Sequence, residues 1–316
     1  MRDPAVVAEG LRKEFGPVLA VSEVSFSVAH GEVFALLGPD GAGKTTSLRM
    51  LAGVVAPTAG RALVEGIDVT HQPEAVRSRV GYMPQRFSLY GDLSVRENLT
   101  LSAELFQVPP REARERIRAL LAVSGLAGVE DRAADYLSGG MKQKLALACT
   151  LVHEPAVLLL DEPTAGVDPV SRREFWRILY RLARAGTAIV VSTTYMDEAD
   201  RCTTVGLIYR GRLIAAGDPR ALRSRMRGEV IDLAAEPRGM ARQVLKQSPE
   251  VRAETLLGNR IRAVVQDAAR AVPVLTARLA DRGVRVLDLR AVPPSLEDVF
   301  VSLIEEEAAR REETGG

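Results

Sequence analysis

Residues 38–45, which read GPDGAGKT, have the residue types and the spacing of a loop that binds phosphate. They fit the pattern G-x-x-x-x-G-K-[ST], in which glycines let successive backbone N–H groups turn towards anionic oxygens. Lys44 can bridge the β- and γ-phosphates of a nucleotide, and the Thr45 hydroxyl can bind Mg²⁺. An apolar run precedes the loop and a helical pattern follows it, so the dipole of a helix N-terminus favours an anion here. The predicted phosphate-binding residues are Gly38, Pro39, Asp40, Gly41, Ala42, Gly43, Lys44, Thr45 and Thr46.

Two adjacent carboxylates, Asp161 and Glu162, end the apolar run AVLLLDEP. Such a strand end faces the ligand crevice of an open α/β sheet. In enzymes with a phosphate loop the first carboxylate orients Mg²⁺, and the second can polarise the attacking water. The alternative is that the two acids only cap the next element.

A second segment that could bind an anion is YLSGGMKQK, where a helix is predicted to begin at Ser138. The serine hydroxyl and the exposed N–H groups of Gly139 and Gly140 suit an anion, although the serine alone is a weak N-cap signal. A single bound nucleotide does not require phosphate-binding sites at the starts of two separate helices. The second phosphate-binding site is therefore predicted to serve the nucleotide of another subunit.

The segment IVVSTTYMDEAD, residues 189–200, is a buried strand that ends in the hydroxyls of Ser192, Thr193 and Thr194. Strand ends of this kind often build reaction sites, yet none of these three side chains titrates near neutrality. The pattern predicts a site whose chemistry is incomplete.

The elements that position these residues follow from the hydrophobic pattern. Residues 4–37 predict short strands, with the segment AHGE as a hairpin turn, and residues 94–150 predict helices with Gly125 near one helix end. Strands at AVLLLDEP and AIVVSTT are separated by a helical pattern, which is typical of a βαβ unit. We expect one large α/β domain over residues 1–222.

Residues 223–306 predict a second domain in the order strand, helix, strand, strand, helix, strand. This order is that of the α+β ferredoxin-like arrangement, and LGNR is a plausible tight turn between its middle strands. A closing helix is expected at PPSLEDVFVSLI. Residues 307–316 are highly charged and predict a disordered tail.

Composition excludes several classes of protein. The chain has 316 residues and a formal net charge of +1, which gives no support for nucleic acid as a partner. Its two cysteines have no metal-ligand spacing and are expected to be reduced, as in cytosolic proteins. The amino terminus lacks the pattern of a signal peptide, and no apolar run approaches the roughly 20 residues that span a bilayer.

Five segments in a fixed order identify a family. GPDGAGKTT, GYMPQ, LSGGMKQK, LLLDEPTAGVDP and STTYMDEAD resemble the nucleotide-binding subunit of ATP-binding cassette (ABC) transporters, over residues 5 to about 220. The ending PPSLEDVF is similar to the exporter branch that includes the daunorubicin and multidrug pumps, in which a soluble subunit pairs with a separate ABC-2-type permease. The resemblance implies an α/β P-loop cassette with a RecA-like core, an antiparallel β subdomain and a helical subdomain. It also implies ATP and Mg²⁺ as ligands and a cytoplasmic, peripheral location at the bacterial inner membrane.

The resemblance also assigns roles to single residues. Phe15 stacks on adenine, Gln85 touches Mg²⁺ or water and relays the nucleotide state to the permease, and Glu162 is the general base. Ser138, Gly139 and Gly140 contact the γ-phosphate held by the opposite subunit, and Asp168 lies at that dimer interface. The implied metal ligands are Thr45, Gln85 and Asp161.

The chain departs from the family at Thr194, where a histidine usually contacts the γ-phosphate and keeps the catalytic glutamate in register. Threonine is shorter and offers one hydroxyl donor, and His30, His71 and His153 lie elsewhere in the sequence. Either the site binds ATP but hydrolyses it slowly, beside a second cassette that keeps the histidine, or Glu162 with water or Thr193 suffices in a homodimer. We favour the first, because similar threonine-bearing sequences occur as one cassette of tandem, two-cassette relatives. A catalytically silent regulatory module, or an ABC protein that acts outside transport, is the alternative function.

Overall fold

A computed structural model describes residues 3–85 and 89–314, with side chains as far as residue 306. It divides into two compact units, residues 1–216 and 217–316. The division falls six residues before the boundary predicted at residue 222, and the short helix Pro219–Ser224 lies in the second unit.

The first unit contains ten strands and seven α-helices among its described residues. The strands are β1 Val6–Phe15, β2 Val18–Val28, β3 Val33–Leu37, β4 Ala59–Val64, β5 Ile67–Asp68, β6 Val80–Met83, β7 Val157–Asp161, β8 Ala188–Thr193, β9 Thr204–Tyr209 and β10 Arg212–Gly217. The helices are α1 Lys44–Leu51, α2 Pro73–Arg77, α3 Val95–Leu105, α4 Pro110–Ser124, α5 Gly139–Leu151, α6 Pro169–Arg184 and α7 Met196–Ala199.

These strands form one sheet in the order β5-β4-β1-β2-β10-β9-β3-β8-β7-β6. Strands β3, β7 and β8 are buried along their whole length and pair in parallel, as expected for apolar runs covered on both faces. Because the strands are parallel, the loops that follow β3, β7 and β8 leave the sheet at the same edge. The phosphate loop, the two carboxylates and the three hydroxyl residues therefore lie together.

The hairpin predicted at AHGE is wrong. A turn is present, with the Glu32 N–H donating to the Ala29 carbonyl at 3.2 Å, but the strands on either side do not pair. β2 pairs with β1, and β3 pairs with β8 and β9. The turn residues specify that the chain reverses, whereas the fully buried β3 requires parallel partners from distant parts of the sequence.

Helices α3, α4 and α5 enclose a separate apolar cluster that includes Leu99, Ile117 and Leu145. Helix α3 begins at a capping box formed by Ser94 and Glu97. Helix α4 ends at Gly125, whose φ of 67° is left-handed, as the sequence predicted. This cluster corresponds to the predicted helical subdomain.

The second unit contains α8 Pro219–Ser224 and a four-stranded sheet. The remaining elements are β11 Glu229–Glu236, α9 Arg238–Lys246, β12 Val251–Leu257, β13 Arg260–Val265, α10 Ala268–Asp281, β14 Arg285–Val292 and α11 Leu296–Thr314. The strand order β12-β13-β11-β14 is entirely antiparallel, which is the ferredoxin-like arrangement. A two-residue turn at Gly258 and Asn259 joins β12 to β13, since Leu257 pairs with Arg260.

Helix α11 extends through Thr314 and therefore differs from the disordered tail predicted for residues 307–316. Its last turns are rich in Ala, Glu and Arg, which have high helix propensity, so a charged composition does not prevent a helix once packed residues have nucleated it. Across the described residues, no helix is both long enough and apolar enough to span a bilayer.

Candidate nucleotide and magnesium site

The phosphate loop, residues 38–45, joins β3 to α1 and packs tightly against its surroundings. A Cβ on Gly38 would lie 2.2 Å from the Ile208 carbonyl oxygen. Gly43 has a φ of 103°, and a Cβ there would lie 2.7 Å from the Ala20 carbonyl oxygen. Both positions exclude any larger residue, so the glycines that open the backbone towards an anion are also required by packing.

Lys44 begins α1 and is 4% exposed. Its ammonium donates to the carbonyl oxygens of Gly38 at 2.9 Å and Pro39 at 3.0 Å, and it forms an ion pair with Glu162 Oε1 at 3.1 Å. The lysine charge is thus held inside the loop and faces the carboxylate predicted to act as the base.

Asp161, at the end of β7, is 1% exposed and has one satisfied oxygen. Oδ1 accepts from Ser192 Oγ at 2.5 Å and from Thr45 Oγ1 at 3.1 Å. Oδ2 is buried and has no hydrogen-bond partner among the described residues. An orphaned carboxylate oxygen beside a threonine hydroxyl suits a hard cation that takes one or two protein ligands and completes its shell with phosphate and water. The residues therefore fit Mg²⁺.

Glu162 lies in an unusual backbone conformation, with a φ of 47°. Its N–H donates to both the carbonyl oxygen of Ser192, at 3.1 Å, and the hydroxyl of Ser192, at 3.0 Å. Its Oε2 accepts from Gln85 Nε2 at 2.8 Å. A non-glycine residue in this region costs about 1–3 kcal/mol and persists where neighbours fix it, which is typical of functional sites.

The switch loop, residues 193–195, leaves the sheet beside the phosphate loop, since the Gly38 N–H donates to the Thr193 carbonyl at 3.3 Å. Thr193 is 1% exposed and donates to Glu198 Oε2 at 2.7 Å. That bond occupies its only proton, so Thr193 has none to offer a phosphate or water. Thr194 is half-buried, and none of the hydrogen bonds among the described residues joins its hydroxyl to Glu162.

Phe15, predicted to stack on adenine, is the last residue of β1 and is 49% exposed. The Lys13 ammonium lies 5.0 Å from the centroid of its ring. About half of the side chain is therefore accessible for stacking, and the ammonium of Lys13 already lies over the ring.

Ser138 and Asp168 both cap helices within this chain. Ser138 accepts from the Met141 N–H at the start of α5, and Asp168 accepts from the N–H groups of Val170 and Ser171 at the start of α6. The Ser171 N–H bond is the main cause of a pKa for Asp168 below its usual value. Gly139 has open space around it, whereas a Cβ on Gly140 would lie 2.3 Å from Ser171 Oγ. The residues predicted to serve an opposite subunit thus form one rigid corner between α5 and α6.

Sequence reasoning missed Thr164 and Glu198 and gave no specific partner to Ser192. Ser192 bonds to both carboxylate residues, and Thr164 and Glu198 form a buried pair behind the switch loop. Ser192 was visible as a hydroxyl at a strand end, but Glu198 lies in an acidic cluster that reads as an exposed helix face. No local signal distinguishes it from Asp197 or Asp200.

Comparison with known proteins agrees with this geometry. A family model described as ABC transporter matches residues 21–165, and a second, described as the C-terminal domain of DrrA1-3-like ATP-binding proteins, matches residues 217–304.

Similar proteins include a probable multidrug ABC transporter ATP-binding protein, YbhF, of Escherichia coli, which is 45% identical over 222 residues. That match covers 70% of this chain and 38% of YbhF, so the chain spans well under half of that relative. The daunorubicin resistance ATP-binding protein DrrA2 of Streptomyces coeruleorubidus is 38% identical over 305 residues, 95% of this chain and 94% of DrrA2.

Among solved structures, cbiO1 of Clostridium perfringens, part of the ABC transporter complex cbiONQ, superposes with a TM-score of 0.65 at 28% identity. The superposition covers 78% of this chain and 97% of cbiO1. The predicted fold class is confirmed, and so is the predicted exporter-type branch of the family. On its sequence and its fold, the chain belongs to the ATP-binding subunits of ABC transporters, a family of ATPases.

Proposed function

We propose that this chain is the ATP-hydrolysing subunit of an ABC-2-type exporter and that it drives a separate membrane permease by ATP-dependent dimerisation of cassettes. The proposal places the subunit on the cytoplasmic face of a bacterial inner membrane. The observation that carries it is the convergence of Lys44, Glu162 and Gln85 with the buried Asp161 at one sheet edge. Relatives named for multidrug transport and daunorubicin resistance support the export direction.

The residues of the chain divide the work between binding and chemistry. Backbone N–H groups of the phosphate loop bind the phosphates, and Lys44 exchanges Glu162 Oε1 for phosphate oxygens. Glu162, released from the ammonium, then orients the attacking water and accepts its proton, while Gln85 limits the positions its carboxylate can take. Phe15 holds the adenine by stacking.

A magnesium ion would be held by Thr45 Oγ1 and Asp161, with Gln85 nearby, and would neutralise charge that develops on the phosphate oxygens. Ser192 donates to Asp161 Oδ1, whereas Oδ2 is buried without a described hydrogen-bond partner and could bind the ion. Two protein ligands are typical of Mg²⁺ sites completed by substrate phosphates.

Two substitutions test the proposal. Lys44→Ala should weaken ATP binding by roughly 100-fold or more, because it removes the only side-chain cation described in the loop. The matched control for Lys44→Ala is Lys246→Ala, which changes an exposed lysine at the end of α9.

Glu162→Gln should keep ATP binding, lose turnover and accumulate a nucleotide-bound dimer, measured by gel filtration with ATP. A Glu162→Gln protein that stays monomeric at saturating ATP, both alone and with the second cassette encoded in its genomic neighbourhood, would contradict the dimer.

Thr194 supports a second candidate, a catalytically weak cassette paired with one that carries the histidine. Thr194 is half-buried, and its hydroxyl has no described hydrogen bond to Glu162. The hydroxyl of Thr193 donates its proton to Glu198. We therefore favour a heterodimer in which this chain's own site hydrolyses ATP slowly, and Thr194→His should raise turnover by about tenfold or more. Equal rates for the parent and Thr194→His would favour an active homodimer.

The permease is proposed from the family and not from a surface of this chain. Affinity-tagged chain, expressed from its own genomic neighbourhood and solubilised in detergent, should retain a polytopic membrane protein through purification. ATP turnover in that complex, measured before and after silencing each cassette, separates a driving subunit from a regulatory one. Retention of ribosomes or DNA instead would favour a function outside transport.

A further inference from the structure

Glu198 is a buried carboxylate that the proposed reaction does not use. It lies in α7, the short helix after the switch loop, and is 1% exposed. A buried carboxylate is costly unless donors surround it, and each of its oxygens meets donors from a different part of the chain.

One oxygen fixes the switch loop. Oε2 accepts from Thr193 Oγ1 at 2.7 Å, and Thr193 Oγ1 in turn accepts from the Tyr195 N–H at 3.0 Å. These two bonds set the backbone on both sides of Thr194 without involving the Thr194 side chain.

The other oxygen fixes the segment that follows the catalytic glutamate. Oε1 is hydrogen-bonded to the hydroxyl of Thr164, which is 1% exposed and lies two residues after Glu162. It also lies 3.5 Å from Trp176 Nε1 of α6, which donates to it. One carboxylate therefore joins the switch loop to residues 162–168, which carry both Glu162 and Asp168.

Arg172 adds a third connection. Its Nε lies 3.7 Å from Glu198 Oε1, and its guanidinium lies 4.8 Å from the centroid of the Tyr195 ring. Arg172 follows Ser171, against which Gly140 of α5 packs. Contacts are thus continuous from the Ser138–Gly140 corner through α6 to the switch loop, all within one chain.

We propose that Glu198 is a positioning residue, which holds the switch loop and residues 162–168 in fixed register and so aligns Glu162 and the Asp168 corner for the ATP-bound dimer. Because both of its oxygens are engaged by protein donors, it acts through other residues. The inference rests on the proposed function and names a residue of the same site.

The test uses the full-length chain in the Glu162→Gln background, where turnover does not limit the readout. Glu198→Gln keeps one acceptor oxygen but places an NH₂ donor against the donors on the opposite side. We expect the affinity for a fluorescent ATP analogue to change by less than about threefold, because no residue of the phosphate loop is altered, and ATP-dependent dimerisation to weaken by roughly tenfold or more. In the chain with Glu162 intact, kcat should fall by a similar factor with KM unchanged.

Two further variants keep the proposal falsifiable where Glu198→Gln fails to fold. Thr193→Val removes the hydroxyl that Glu198 accepts from and should reproduce the loss of dimerisation, whereas Thr193→Ser keeps the hydroxyl and should restore it. Glu115→Gln, which makes the same change at an exposed glutamate of α4, is the matched control and should behave as the parent.

The outcomes separate the two proposals. If the Glu162→Gln parent forms no ATP-dependent dimer, either alone or with the second cassette encoded in its genomic neighbourhood, the proposed function fails. If the parent dimerises and both Glu198→Gln and Thr193→Val dimerise equally well, the positioning role is overturned. It is also overturned if those variants lose affinity for the ATP analogue by the same factor as dimerisation, since that result describes general damage to the fold.

Discussion

The phosphate loop and the switch loop start side by side but are built in different ways. They follow β3 and β8, adjacent parallel strands in which Leu37 pairs with Thr193. The phosphate loop is shaped by glycines and by contacts of its own backbone, and Lys44 bonds to carbonyls only five and six residues away. The switch loop is shaped by side chains, including Glu198, Thr164 and Arg172, that come from three other segments.

The difference has a physical consequence for function. A loop made from backbone N–H groups binds an anion through its own local conformation, and the backbone of Ala20 and Ile208 requires only that its glycines stay small. A loop held by buried side chains depends on partners that also hold α6 and residues 162–168. We infer that the phosphate loop determines ATP binding, whereas the switch loop determines hydrolysis and dimerisation.

The largest effect should come from a glycine of the phosphate loop. Gly43→Ala places a Cβ 2.7 Å from the Ala20 carbonyl at a φ of 103°, and we expect ATP affinity to fall by roughly 100-fold. Gly41→Ala is the matched control, since its φ is 75° but nothing lies within 4 Å of the added Cβ. It should cost about tenfold or less, measured by titration of a fluorescent ATP analogue. Equal losses would mean that backbone conformation, and not the close packing, limits this loop.

An intermediate effect is expected at Ser192, which lies between the two loops. Ser192→Ala removes the donor to Asp161 Oδ1 and an acceptor for the Glu162 N–H. Asp161 Oδ1 keeps its bond from Thr45, and the Glu162 N–H keeps its bond to the carbonyl of residue 192. The loss of the two hydroxyl bonds, one of them to a charged carboxylate, should destabilise the cassette by about 1–3 kcal/mol and raise the Mg²⁺ concentration needed for half-maximal turnover by about tenfold. Thermal unfolding and a Mg²⁺ titration measure the two effects. Ser47→Ala, which removes a local bond from a buried serine to the Gly43 carbonyl, should lower stability without changing the Mg²⁺ requirement.

A smaller effect is expected at Thr194 itself. Because no described hydrogen bond joins its hydroxyl to Glu162, Thr194→Ala should change both ATP affinity and turnover by less than about threefold. Initial-rate kinetics on the purified chain provide the measurement. A loss of tenfold or more would show that Thr194 acts directly on the reaction and would remove the basis for an asymmetric pair of cassettes.

The same contrast explains what the sequence could predict. Residues 38–45 could be assigned because each glycine and the lysine act within a few positions of one another. The order of elements in the C-terminal unit was also predictable, since hydrophobic periodicity and the Gly258–Asn259 turn are local signals. The pairing of β2 was not, because a turn at residues 29–32 does not specify which strand becomes a neighbour.

Glu198 shows what could not be predicted about the site from the sequence. Its importance depends on Thr164, which is 34 residues away, and on Trp176, which is 22 residues away. Acidic residues on a short polar helix are normally exposed, so composition argues against burial at this position. Only the fold, which returns α6 and β7 to the end of β8, brings the donors to it.

The smallest effect concerns His153, which is half-buried and lies in neither loop. The His153 ring stacks on Phe106 at 3.7 Å, its Nε2 lies 3.1 Å from the Val80 carbonyl, and its Nδ1 is buried without a hydrogen-bond partner. Burial lowers the pKa of His153 below its usual value, so the folded chain binds this proton less readily than the unfolded chain does. Stability therefore falls as pH decreases through the ordinary histidine range, and it is fully present above that range.

His153→Phe keeps a flat ring against Phe106 but cannot be protonated. The parent should have the higher unfolding temperature at about pH 7.5. The difference between the two unfolding temperatures should decrease towards about pH 5.5. The decrease should be smaller than 2–4 °C, which is the shift that roughly 1 kcal/mol produces in a domain of this size. Thermal unfolding across that interval measures the difference. If the two unfolding temperatures change in parallel with pH, His153 is not the source of the acid sensitivity. If their difference decreases while ATP affinity stays unchanged, the acid sensitivity of this cassette arises outside both loops.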